Sequence, residues 1–90
     1  MLVVGGTLLE AYWTRNGAAE PALRALHALL ARARPDELDR LLAGAKRDPD
    51  GRRRVAIAGA VVTLKANEAV GLIKIEDVED CDAAAPTHPH

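Results

Sequence analysis

Three stretches of this 90-residue sequence place chemically capable residues close together. Gly5-Gly6-Thr7 stands before an apolar helical pattern, and the free N–H groups of such a helix start attract anions. The stretch lacks the glycine spacing and the lysine of a phosphate-binding loop, so a tight strand-to-helix turn accounts for it. Arg52-Arg53-Arg54 offers three consecutive cations to RNA phosphates or an acidic protein surface. No aromatic platform for base stacking accompanies them, and charges at a strand end also discourage edge-to-edge pairing. Glu76-Asp77-Val78-Glu79-Asp80-Cys81-Asp82 carries five carboxylates in seven positions. That density suits Ca²⁺ or mimicry of a nucleic-acid backbone, but the sixth-position glycine of an EF-hand loop is missing. A solvated strand end is the simpler expectation.

The isolated reactive residues point away from catalysis. His27 has no Cys, Ser or carboxylate at a recognisable spacing, and a general base needs such partners. His88 and His90 lie in a C-terminal stretch with no fixed geometry for a metal. Cys81 sits among Glu79, Asp80 and Asp82, negative neighbours that disfavour a nucleophilic thiolate. Tyr12 and Trp13 are the chain's two aromatics; one of them, if exposed, would anchor an interface. The expectation is no catalytic set, no cofactor and no metal.

The elements that must position these residues have little bulk to work with. The sequence is 49% hydrophobic but only 2% aromatic, with 18 Ala, 12 Leu and no Phe. Alanine buries far less area than leucine or phenylalanine, so a single small domain over residues 1–81 is expected to have a thin core. One Cys excludes an intramolecular disulfide, and self-association is the remaining way to bury more surface. The net charge of −1 is unevenly spread. Residues 1–54 hold ten Lys/Arg against seven Asp/Glu, and residues 55–90 hold two against six. A chain devoted to phosphate backbones would normally be basic throughout. No apolar run approaches the roughly 20 residues of a membrane span, and Met1–Leu9 lacks a signal peptide's basic start. No membrane partner and a cytoplasmic location are expected.

Along the chain, Leu2-Val3-Val4 reads as a short strand. Thr7 and Glu10 have capping-box spacing for a helix over about Leu8–Arg15, stopped by Asn16-Gly17. Pro21 opens a second helix with Leu23, Leu26, Leu29, Leu30 and Ala33 as its apolar stripe. Pro35 ends it and starts a short third helix reaching towards Gly44. After the turn signal Asp48-Pro49-Asp50-Gly51 the period becomes two. Val55 and Ile57 fall on odd positions while Val62 and Leu64 fall on even ones, so Ala58-Gly59-Ala60 must turn or bulge. Asn67-Glu68 marks the next reversal, and Ile73 and Ile75 define a strand ending near Val78. The expected fold class is α+β: a short N-terminal strand, two to three helices, then a small antiparallel sheet of two to three strands. Residues 82–90 read as a disordered tail.

Over Thr7–Ala33 the chain resembles the HigB branch of the RelE/ParE toxin superfamily. The resemblance rests on Trp13, Ala19-Glu20 and Leu23-Arg24-Ala25, with Arg54-Val55 and Ala58-Gly59 similar to the family's sheet entry and hairpin turn. It implies an α/β fold, ribosome-dependent mRNA cleavage and neutralisation by an antitoxin. The family's C-terminal Thr-His-x-x-Tyr-Asp-like motif would fall on Val78-Glu79-Asp80-Cys81-Asp82, where only Asp82 matches. After Val55 the sheet offers only Lys65 and Lys74 as cations. No catalytic residue carries over, and these departures from the family's pattern point to an inactive or repurposed relative.

The resulting expectation is a non-enzymatic α/β protein–protein interaction or assembly module that self-associates. The candidate interface comprises Tyr12, Trp13, Leu26, Leu30, Arg52, Arg53, Arg54, Glu76 and Asp77. Two alternatives stand beside it: a toxin-related protein acting on RNA at the ribosome, and an acidic inhibitor that mimics nucleic acid.

Overall fold

The computed structural model describes residues 1–81; the tail expected over residues 82–90, including His88 and His90, lies outside the described residues. The elements run β1 (Leu2–Val4), α1 (Gly6–Arg15), α2 (Glu20–Arg32), α3 (Leu38–Leu41), β2 (Lys46–Arg47), β3 (Arg52–Ile57), β4 (Ala60–Asn67) and β5 (Leu72–Asp80). Single 3₁₀ turns at Gly17–Ala19 and Pro35–Glu37 lead into α2 and α3. The strands form one sheet in the order β1-β5-β4-β3-β2, with β1 parallel to β5 and the other pairs antiparallel. The α+β class is as expected, but the sheet is mixed and has five strands rather than two or three. The two additional members are short. β1 pairs with the most distant strand in sequence, and β2 is two charged residues with no apolar alternation to announce it.

Period-two alternation divides the sheet into two faces. Val62, Leu64, Ile73 and Ile75 point to one face and are essentially inaccessible there. They meet Leu9 and Tyr12 of α1, Leu23, Leu26 and Leu30 of α2, and Leu38 and Leu42 at α3, in one cluster. All three helices therefore cover the same face, and the opposite face carries no helix. Leu26 and Leu30, expected as interface residues, belong to this core, where the leucine stripe of α2 is spent on the chain's own sheet. Of that stripe only Leu29 remains substantially exposed.

The connections explain the glycines of the Gly5-Gly6 stretch. Gly5 has φ 89°, and a Cβ there would lie 2.4 Å from the Ile75 carbonyl oxygen. Only glycine lets the chain turn from β1 into α1 so close to β5. At Gly6 a Cβ would sit 3.2 Å from Nε2 of His27, so α2 also approaches closely. The helix starts at Gly6 with Gly5 as its N-cap and no side-chain cap, which corrects the expected Thr7–Glu10 capping box. The expected turn at Ala58-Gly59 is a two-residue hairpin between Ile57 and Ala60. Both residues have positive φ, 53° and 79°, the type I′ pattern whose twist matches paired strands. It reconciles the odd and even apolar positions on either side. The next reversal lies at Glu68–Gly71, later than Asn67-Glu68, because Asn67 still pairs with Leu72.

Candidate functional site

Strand alternation splits the triple arginine. Arg53 is opposite Leu64 and points to the helix-covered face, whereas Arg52 and Arg54 point to the uncovered one. Arg53 is only 4% exposed. Its Nη2 donates to Oδ1 of Asp39 at 2.6 Å and lies 3.6 Å from Glu68. Arg52 donates to both Glu76 and Asp50, and Arg54 donates to Oδ2 of Asp48 at 3.0 Å. The Arg52 backbone N–H, then its guanidinium, hold the Asp50 carboxyl below the ordinary aspartate range. Glu76 and then Asp50 raise the pKa of Arg52 in return. The run expected as one basic patch is thus three separately paired arginines on two faces.

The acidic run is divided in the same way. A bulge between Thr63 and Leu64 leaves Thr63 opposite Asp77 and Leu64 opposite Ile75, so Glu76 is the extra residue. Glu76 is neutralised by Arg52, and Asp77 stands beside it on the uncovered face. Asp80 points the other way and accepts a 2.7 Å hydrogen bond from the Tyr12 hydroxyl, tying α1 to the end of β5. That bond, and then burial, raise the phenol pKa above its ordinary value. Tyr12 is itself buried, so it is a core residue rather than an exposed anchor. Trp13 is half-buried, with the Arg24 guanidinium 4.8 Å from its ring centroid.

What the register brings together is a cationic row that sequence order conceals. Arg52 lies opposite Lys65, and Lys65 lies opposite Lys74, across three adjacent strands of the uncovered face. Neighbouring strands are about 4.8 Å apart, so the row spans roughly 10 Å. Lys65 and Lys74 are exposed, and neither forms an ion pair among the described residues. Like charges directly opposite one another in a sheet are destabilising. At this end of the sheet a cavity of about 410 Å³ is lined by Arg47, Arg53, Lys65 and Lys74, with Glu68 as its one carboxylate. Arg47 lies 3.7 Å from Asp39, the residue that also holds Arg53. The lysines were visible in the sequence as two isolated cations; their alignment with Arg52 needed the strand register.

A second polar groove lies beside α1 and α2. It has a volume of about 440 Å³ and is lined by Val3, Gly6, Thr7, Glu10, Trp13, Arg24 and His27. His27 lies here, packed over Gly6 and separated by the sheet from the Lys65–Lys74 row. Among the described residues no three His, Cys, Asp or Glu side chains are placed to hold a metal ion. No described helix is long and apolar enough to cross a membrane. Cys81 is exposed, and its backbone N–H donates to the Gly59 carbonyl. No protein-family model, curated protein or solved structure matches this chain.

Proposed function

We propose that this protein is a non-enzymatic α+β binding module whose working surface is the uncovered sheet face, and that its ligand is the phosphate backbone of single-stranded RNA. The observation that carries this reading is the Arg52–Lys65–Lys74 row, in which two mutually repelling lysines form no ion pair among the described residues. An anionic strand laid across the row relieves that repulsion and releases condensed counterions. The contacts available are charge contacts, with no aromatic on this face for base stacking, so binding is expected to be insensitive to sequence. Binding without cleavage fits the layout: His27 is across the sheet from the row, and the two arginines facing the ligand side are held by carboxylates. The residues shared with the RelE/ParE superfamily support placing the chain as a diverged relative that keeps an RNA surface without the C-terminal His and Tyr. The acidic-inhibitor alternative has weaker support, since Glu76 and Asp80 are engaged by Arg52 and Tyr12.

The test is a two-dimensional NMR titration of ¹⁵N-labelled protein with an unstructured oligoribonucleotide. Shifts concentrated at Arg52, Lys65, Lys74 and their strand neighbours are expected. Shifts concentrated at Thr7, Trp13 and His27, or none at millimolar RNA, would overturn the reading.

A further inference from the structure

The cationic cavity is built differently from the row beside it. β3 begins at Arg52, opposite Lys65, while β4 runs on to Asn67 and pairs there with Leu72. The shortfall leaves a notch beyond the start of β3, and the cavity of about 410 Å³ lies in it, with Gly51 on one side and Asn67 and Glu68 on the other. Residues of both sheet faces line this one space: Arg47 and Arg53 from the helix-covered face, Lys65 and Lys74 from the uncovered one. Arg53 is the buried member, and a buried guanidinium needs close carboxylate partners. It shares Asp39 with Arg47, and Glu68 comes only to 3.6 Å. Asp39 is itself 71% exposed. Two guanidinium groups are thus held by one exposed carboxylate, beside two lysines that form no ion pair among the described residues.

We infer that this cavity takes the terminal phosphate monoester of the bound RNA strand. The inference rests on the RNA reading and adds which part of the strand enters the cavity. A phosphodiester within a strand has one negative charge and two attachments, so the chain must pass both into and out of its site. A monoester has one attachment, three acceptor oxygens and a charge approaching −2 at neutral pH. Donors converging from two faces, four cations against the single lining carboxylate of Glu68, suit the monoester. Lys65 and Lys74 belong to both the row and the cavity, so a strand lying on the row reaches Arg47 and Arg53 with its end. The volume is at the small end for a ligand pocket and suits a single terminal nucleotide.

Fluorescence anisotropy with one internally labelled oligoribonucleotide, ended by hydroxyls, by a 5′-phosphate or by a 3′-phosphate, tests this. At about pH 7.5, where the monoester is largely a dianion, one of the phosphorylated strands should bind about tenfold more tightly than the hydroxyl-ended one. A hydroxyl-ended strand one nucleotide longer should gain far less, which separates the cavity from bulk charge. The advantage should shrink as pH falls through the monoester's second pKa of about 6. Arg47→Gln, at an exposed residue, should bring the ratio of the two affinities close to one. Equal affinities of the three strands for wild type would overturn the inference and leave the RNA reading standing, whereas no binding of any strand would overturn both. An advantage undiminished in Arg47→Gln would also overturn it. A second measurement needs no variant: the phosphorylated strand should shift the amide resonances of Gly51, Asn67 and Glu68 beyond their positions with the hydroxyl-ended strand. Identical spectra at those residues would overturn the inference.

Discussion

Replacing Gly5 by alanine tests the turn that brings β1 and α1 against β5. The residue sits at φ 89°, and its Cβ would fall 2.4 Å from the Ile75 carbonyl oxygen. A left-handed conformation costs a non-glycine residue about 1–2 kcal/mol. The clash is with backbone, so no side chain can swing aside, and forced displacement in packed structure adds roughly 1–3 kcal/mol. The total, about 2–5 kcal/mol, is a large share of the ~4–12 kcal/mol expected for a domain of about 80 residues. Gly17→Ala and Gly44→Ala are the controls, since a Cβ at either position meets nothing within 4 Å. Their effects should stay within about 1 kcal/mol. Urea denaturation followed by circular dichroism reads the difference as a shift in midpoint at constant slope. Gly5→Ala indistinguishable from the two controls would refute the close approach of Gly5 to β5, and with it the parallel β1–β5 pairing beside Lys74.

Other positions give smaller, signed effects. Ala58 holds φ 53° in the hairpin, so Ala58→Gly should raise stability by about 0.5–1 kcal/mol despite glycine's greater unfolded-state freedom, measurable as a higher thermal midpoint. Tyr12→Phe removes the hydrogen bond to Asp80 and should cost about 1–2 kcal/mol by the same denaturation assay. Because folding raises the Tyr12 pKa, its stabilisation is complete below the unfolded phenol's value and is lost as pH rises through the folded one. Wild type should therefore lose stability relative to Tyr12→Phe above about pH 10; parallel pH profiles would remove the Tyr12–Asp80 contact from the account.

Much of the fold was legible in local pattern, and the site was not. The Leu23–Leu30 spacing announced α2, the odd-to-even switch announced the Ala58-Gly59 turn, and Asp48–Gly51 marked the start of the hairpin sheet. These are signals within about ten residues of one another. β1 could be read as a strand, but its partner lies some seventy residues away, and β2 has no apolar residue to reveal it. Four of the candidate interface residues, Tyr12, Leu26, Leu30 and Arg53, are buried, and the sequence pattern hid this for a related reason. Leu26 and Leu30 form a stripe that fits a partner chain as well as the chain's own sheet, and only topology decides between them. Consecutive arginines suggested one patch, whereas strand alternation sends Arg53 to the core and its neighbours outward. The Arg52–Lys65–Lys74 row is assembled across three strands from residues that are not adjacent in sequence.

The salt dependence of RNA binding tests the central claim most directly. Fluorescence anisotropy with a labelled single-stranded oligonucleotide, between about 50 and 200 mM salt, compares wild type with Lys65→Gln/Lys74→Gln. Two phosphate contacts from the unpaired lysines predict a slope of log K against log salt near about −1.4, and removing both should bring it close to zero. Equal slopes and affinities for the two proteins would contradict an RNA surface built on the Arg52–Lys65–Lys74 row.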